Sequence, residues 1–504
     1  MHEHGTGEGL APFPELLYRA DQARELDRIA MEEFALGDTV LMERAGAAAF
    51  AFLQRRWPGA KSIVVVCGRG NNGGDGYVLA RLALQAGLSV RALTVAGEPA
   101  GGDAAAALAR AREAGVAVGP LESAPLAQAD VVVDGVFGTG LERPVEGSWA
   151  EALAAMNAAP APVLALDVPS GLQADSGRVL GVAVHADATV CFIALKAGLF
   201  TADGPDCAGV LIFDDLGVPE AAFSSVAPWV RRITQGSLAH CLPPRRLNSH
   251  KGSYGCVLVV GGAPGMPGAA ILAAEAAYRV GAGRVLLATH GSHAPYINAV
   301  HPEVIVHDAS APQTLRALLA QAQTVAIGPG LGQSTWAQEL LAAVLETDIP
   351  KVVDADALNL LAREPLERSD WVLTPHPGEA ARLLGVDTAS IQGDRYGSAQ
   401  AVADAYGGIT VLKGAGTVIS GNDSLNVCDR GGPALATAGT GDVLTGAIAG
   451  LLAQGVTPAT AACAGVWIHA RAGEMLAAGG ERGGLAHELL PLLREPLRQL
   501  ESDD

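Results

Sequence analysis

The chain has 504 residues, too many for one ordinary hydrophobic core, so two or three domains are expected. A net charge of −19 excludes a general nucleic-acid binder, and no run of about twenty apolar residues free of glycine and charge offers a membrane span. With 63 glycines, 49% hydrophobic and only 4% aromatic residues, the composition suits α/β architecture, in which glycine loops rather than a basic field must bind any anionic substrate.

Seven scattered cysteines form no CxxC pair, which points to reduced thiols rather than a disulfide framework or a zinc site. The first residues hold no basic segment followed by an apolar one, so no secretory signal is visible and a cytoplasmic location is expected. His2 and His4 sit in a glycine-rich tail and read as a chain end, not a metal site.

Residues 19–35 predict a charged amphipathic helix and 41–55 a second. A β-branched strand over 63–66 then runs into CGRGNNGGDG and a helix. Gly68, Gly70 and Gly73 satisfy GxGxxG, with Glu98 beyond the next strand where a ribose-binding acid would sit. Asn71, Asn72 and Asp75 add oxygens that a dinucleotide fingerprint does not need and that suit a hard cation or a sugar hydroxyl. A strand over 131–133 leads to Asp134 and GVFGTGLERP, and one over 163–166 leads to Asp167 and VPSG. One such Asp is ordinarily a helix cap. Three glycine turns of this kind at strand ends mark the ligand edge of an open α/β sheet. Residues 188–200 and 210–219 read as edge strands; Lys196 could face phosphate, but a lone lysine at a strand end is more often a solvated charge.

NNGGDG, DGVFGTG and LDVPSG together resemble the NAD(P)H-hydrate epimerase domain, a Rossmann-like fold. The resemblance implies that Asn71, Asn72, Gly73, Gly74 and Asp75 contact a hydrated nicotinamide nucleotide. It implies that Gly138, Thr139, Gly140, Leu141, Glu142, Arg143 and Pro144 wrap that nucleotide. Asp167 would contact it near the reacting carbon and is the candidate for proton transfer; Asn72, Asp134 and Ser170 would hold K+.

A proline-rich join over 219–244 separates the halves. Beyond it, a strand over 257–260 feeds a glycine loop over 261–268 and a helix of small residues. Strands over 325–327, 352–353, 371–374 and 409–412 lead respectively to GPGLG, DADALNLL, PHPGE and KGAGT. KGAGT can track phosphate or ribose through backbone N–H groups, but it is no Walker A loop, because its lysine precedes the glycines. His376 lies between prolines, where a purely structural histidine is the plain alternative to a ligand. In AGTGDVLTG, Gly439, Thr440 and Gly441 precede a helix whose Val443, Leu444, Ala447, Ile448, Leu451 and Leu452 share one face. Such a helix start makes an anion hole, and Asp442 in its first turn can accept a hydroxyl proton. The plain alternative is an acidic residue placed there by the helix dipole.

SHKG, GPGLG, DADALNLL, TPHPGE, KGAGT and AGTGD in this order are similar to the ADP/ATP-dependent NAD(P)H-hydrate dehydratase domain of the ribokinase-like superfamily. The likeness implies that Lys413, Gly414, Ala415, Gly416, Thr417 and Gly441 bind ADP or ATP, accompanied by Mg2+. It implies that Ala269, one of Gly330 and Gly332, and His376 bind the hydrate, with Asp442 as base. Together the two resemblances span nearly the whole chain and imply two α/β domains: a Rossmann-like three-layer epimerase over 1–225 and a ribokinase-like dehydratase over 226–504. They imply the small-molecule substrates NADHX and NADPHX, no nucleic acid, no membrane, and a homo-oligomer. The alternative is a ribokinase-like hydroxymethylpyrimidine-type kinase fused to a non-catalytic Rossmann-like domain. A nicotinamide dehydrogenase is what GxGxxG taken alone suggests.

Overall fold

The computed structural model describes residues 13–34, 36–121, 126–242, 244–421 and 423–501, so the tail with His2 and His4 lies outside the described residues. The chain divides into two compact units, His2–Arg231 and Arg232–Asp504.

The first unit is built on strands β1 (Ser62–Cys67), β2 (Ser89–Thr94), β3 (Ala117–Pro120), β4 (Val131–Gly135), β5 (Val163–Leu166), β6 (Ala188–Phe192) and β7 (Val210–Asp214). They lie in the order β3-β2-β1-β4-β5-β6-β7, and each neighbouring pair is parallel. Strands buried on both faces read as continuous apolar runs, as SIVVVC does. Ile63, Val65 and Cys67 join a core that includes Leu53 of helix α1 (Asp38–Arg56) and Leu79 of α2 (Asn71–Gln85). Val64 and Val66 face the opposite core with Leu153 and Met156 of α3 (Gly147–Asn157). Strand order reverses between β1 and β4, and such a switch point opens a crevice at the carboxyl ends of the strands. The two loops there touch: a Cβ on Gly68 would lie 2.0 Å from the Val136 carbonyl oxygen, so no larger residue fits.

The expectation of edge strands over 188–200 and 210–219 is corrected in part. β7 is an edge, but β6 is interior and buried at all five positions, because β7 pairs along its outer side. Lys196 is likewise buried, not solvated.

The second unit holds β8 (Cys256–Val260), β9 (Arg284–Thr289), β10 (Ile305–Asp308), β11 (Thr324–Ile327), β12 (Lys351–Val353), β13 (Trp371–Leu373), β14 (Ile409–Leu412), β15 (Thr417–Gly421) and β16 (Ser424–Cys428). Their order is β10-β9-β8-β11-β12-β13-β14-β15-β16, parallel as far as β14 and antiparallel after it. The reversal falls between β8 and β11, so the glycine loops after these strands share a second crevice. Helix α4 (Pro267–Arg279) follows β8, α5 (Pro377–Leu384) follows β13, and α6 (Arg395–Tyr406) precedes β14. Helix α7 (Thr440–Ala453) is buried on nearly every side, not along one stripe as its sequence suggests. Its Gly446 and Gly450 allow this. A Cβ at either would lie 2.0 Å from Ala273 O or 2.6 Å from Ala277 O, so α4 presses directly on the α7 backbone. Helix α8 (Pro458–Ala477) follows α7 and packs on it. No helix among the described residues is long and apolar enough to cross a membrane.

Candidate active sites

In the first unit a cavity of about 510 Å³ opens at the switch point. It brings together Asn71, Asn72 and Asp75 of the first loop and helix, Gly138, Thr139, Gly140 and Leu141 of the second loop, and Asp167 of the third. Gly73 and Gly74 stand behind this wall: a Cβ on them would meet Gly68 O at 2.2 Å and Met42 Cε at 2.5 Å, so they permit close packing. Glu142, Arg143 and Pro144 are exposed and do not line the cavity. Glu98 pairs with Arg112 on the surface, away from the cavity. Arg24 and Asp27, on the helix Ala20–Glu33, and Lys196 also line it. Sequence reasoning assigns no site role to Arg24 or Asp27, whose one signal is charge beside the apolar face of an amphipathic helix, and it takes Lys196 for a solvated charge.

Asp167 adopts φ +66°, a left-handed conformation uncommon outside glycine, and its carboxylate pairs with the Lys196 ammonium. Lys196 Nζ also donates to Phe192 O at 3.0 Å and to Cys191 Sγ at 3.6 Å. Burial, the largest single influence, acts to lower the Lys196 pKa, but the charge and hydrogen bond of Asp167 together with Cys191 and Asp27 outweigh it, so the pKa is raised and the ammonium stays protonated. The Asp75 carboxyl is raised well above the usual range by burial first, then by the negative charges of Asp167 and Asp27, with Lys196 opposing.

Asn72, Asp134 and Ser170 converge. Ser170 Oγ donates to Asp134 Oδ1 at 2.6 Å, Ser170 N–H to Asp134 Oδ2 at 2.8 Å, and Asn72 Nδ2 to Phe137 O at 2.9 Å. Burial pushes the Asp134 carboxyl up to about 6, with the bonds from Ser170 and Val136 opposing. Asn72 Oδ1 is buried with no hydrogen-bond partner. A buried carboxylate, a hydroxyl, an orphaned amide oxygen and a backbone carbonyl are hard oxygen donors, and they fit a monovalent cation.

In the second unit, Gly439 at φ +94° turns the chain into α7, so the first-turn N–H groups of Gly441 and Asp442 have no intrahelical acceptor. The Thr440 hydroxyl donates to Leu435 O and Thr437 O, at 2.9 and 3.0 Å, so any anion held here is held by the backbone. His469 Nε2 meets Thr440 O at 2.9 Å; burial lowers this imidazole to about 4, so it is neutral and donates. Asp442 is half-buried and raised to about 7, chiefly by burial and then by the Asp354 charge, with Lys413 opposing.

The Lys413 side chain turns inward, to Asp354 Oδ1 at 2.7 Å and Glu379 Oε2 at 3.9 Å. Asp354 is fixed in turn by the Thr445 hydroxyl at 2.7 Å. DADALNLL and PHPGE contain these two acids, but their part beside Asp442 was not legible in the sequence. The KGAGT loop is held from beneath by buried Arg395, which donates to Leu412 O and Lys413 O at 3.2 Å and to Gly416 O at 3.4 Å. His376 caps α5, its Nδ1 accepting from Gly378 N–H at 3.0 Å, while Nε2 of the half-exposed ring lies 3.4 Å from Glu379 Oε1. Burial and the Lys413 charge lower its pKa. Ala269, Gly330 and Gly332 gather around Met266, which is partly exposed in this crevice and was also missed.

A family model described as YjeF-related protein N-terminus matches residues 38–198, and one described as NAD(P)H-hydrate dehydratase matches 257–494. The bifunctional NAD(P)H-hydrate repair enzyme Nnr of Coxiella burnetii is 48% identical over 95% of this chain and 99% of its own length. The chain belongs to the bifunctional NAD(P)H-hydrate repair enzyme family. The Escherichia coli member of that family is 41% identical over 98% of this chain and 96% of its own. The ADP/ATP-dependent NAD(P)H-hydrate dehydratase of Bacillus subtilis, co-crystallised with ATP/Mg2+, is 34% identical. It covers 54% of this chain and all of its own, with a TM-score of 0.50. The kinase-fusion reading gains nothing from these relatives, which match across both halves as repair enzymes.

Proposed function

We propose that the protein repairs hydrated NADH and NADPH: the first unit interconverts the R and S hydrates, and the second dehydrates the S form at the expense of ADP or ATP. The observation that carries this is Asp442, a carboxyl poised near neutrality beside unpaired helix N–H groups and a half-buried lysine. The ring hydroxyl gives its proton to Asp442 as its oxygen attacks the terminal phosphoryl group. The bridging P–O bond breaks, and the first-turn amides of α7 take up the charge that develops. Phosphate then leaves with the C–O bond electrons, and loss of the neighbouring ring proton restores the double bond.

The nucleotide lies along Lys413, Gly414, Ala415, Gly416 and Thr417, with Mg2+ as its companion. The hydrate lies against Ala269, the GPGLG loop and His376. In the first unit the cavity takes the hydrate, with Asp167 moving a proton at the hydrated carbon. Asn72, Asp134 and Ser170 would hold K+, which would offset the buried Asp134 charge and tie the three loops together. The protein acts as a cytoplasmic homo-oligomer and binds neither nucleic acid nor membrane.

Purified protein should consume both hydrate epimers with ADP or ATP and yield reduced nicotinamide nucleotide, followed by chromatography and near-ultraviolet absorbance. Without nucleotide it should only equilibrate the epimers. A stable phosphorylated alcohol, with no reduced nucleotide, would overturn the reading.

A further inference from the structure

The first unit's cavity holds three carboxyls, Asp27, Asp75 and Asp167, and one buried cation, Lys196. Lys196 has three N–H donors, and Asp167, Phe192 O and Cys191 Sγ engage them. The ammonium therefore has nothing left for a substrate and acts through Asp167. Asp167 is locked twice, by its left-handed backbone and by this pair. Asp75 stands on α2, one turn from the loop, half-buried against the same cavity. The charged groups facing it are Asp27 and Arg24 of the helix Ala20–Glu33, Arg69 of the loop, and Asp167 with Lys196.

Resting on the epimerase reading, we propose that Lys196 is a positioning residue that sorts the two carboxyls into a base and an acid, holding Asp167 as the carboxylate and leaving Asp75 to carry the proton. The chemistry needs such a pair. The hydrated carbon bears both the ring nitrogen and the hydroxyl, so inversion breaks and remakes one C–O bond. Asp75 gives its proton to the hydroxyl, which departs as water while the nitrogen lone pair forms an iminium. A water then adds to the opposite face, and Asp167 takes its proton. Exchange with solvent resets both carboxyls, and no net proton is consumed. The arrangement parallels inverting glycoside hydrolysis, where environments of opposite effect separate acid from base. The raised pKa of Asp75 accords with the donor role.

The test is epimerisation by the full chain bearing Lys196→Met, Lys196→Arg or Asp75→Asn. Dehydration of S hydrate and a thermal melt report folding. Lys196→Met should slow kcat by about 100-fold or more, the scale of lost acid–base catalysis, and move the low-pH limb of kcat/KM to higher pH. Lys196→Arg keeps the charge and should recover at least about tenfold of that loss with the limb near its original position. Asp75→Asn should lose a similar factor of about 100 in kcat, with KM little changed, and lose the high-pH limb. A Lys196→Met enzyme slowed with its limb unmoved would reduce Lys196 to packing and overturn the proposal. Near-normal kcat in Lys196→Met or Asp75→Asn would do the same. If the methionine variant does not fold, the arginine and asparagine variants decide alone. Failure of wild type to interconvert the epimers would instead remove the epimerase reading itself.

Discussion

Asp442 is visible in the sequence as an acid after a glycine turn, yet what makes it a base is assembled from distant residues. Burial and Asp354 raise it to about 7, so below that pH it holds the proton it must accept. Dehydration kcat/KM should therefore rise with pH through about 7 and level off above it. Below 7 the fall should approach about tenfold per pH unit in rate against pH with the hydrate limiting, and a flat profile would refute the role. Asp442→Asn keeps the helix amides, so nucleotide and hydrate should still bind. Dehydration should drop by about 100- to 10,000-fold while epimerisation continues, as chromatography of mixed epimers will show. Lys196 lies at the other extreme of legibility. A lone lysine after a short strand carries no local sign of burial, and its partner Asp167 is 29 residues away.

Among the elements, the loops were legible because glycine patterns impose backbone shape directly. What supports them was not. Arg395 reads as an ordinary helical arginine, yet its buried guanidinium gathers two carbonyls of the KGAGT turn and that of Leu412 just before it. Arg395→Met strips those carbonyls of their donor, at about 1–3 kcal/mol for an unsatisfied buried group. The KM for ADP or ATP should rise about tenfold or more on that scale, while the KM for the hydrate stays near wild type. Helix α7 offers a second test. Gly446→Ala would drive a Cβ into Ala273 O, and such overpacking costs about 1–3 kcal/mol. Urea unfolding should show that loss in the transition of the second unit, with epimerase activity spared.

At the scale of the whole molecule, the division into two compact units falls between Arg231 and Arg232, where 225 was expected, and each family match lies inside one unit. A fragment of residues 1–231 should fold alone and still equilibrate the hydrates. An insoluble or folded but inactive fragment would mean that the halves share a core or a site. For the cation, K+ in place of choline should raise the melting temperature of that fragment, and Asn72→Ala should abolish the increment. Equal melting in both salts would remove the cation from these residues.

The sequence by itself determined the two α/β halves, the strand-end glycine loops and the Asp442 helix start. Each rests on local backbone geometry or on a short motif, and local physics reads the same in any fold. Only the tertiary structure decided that β6 is interior, that Lys196 is buried against Asp167, that Asp27 reaches the cavity, and that Lys413 turns to Asp354 and Glu379. Burial and electrostatic pairing belong to neighbours brought together by the chain's path. No window of sequence contains both members of such a pair, so the dielectric and the charge that tune each group become readable only once the chain is folded.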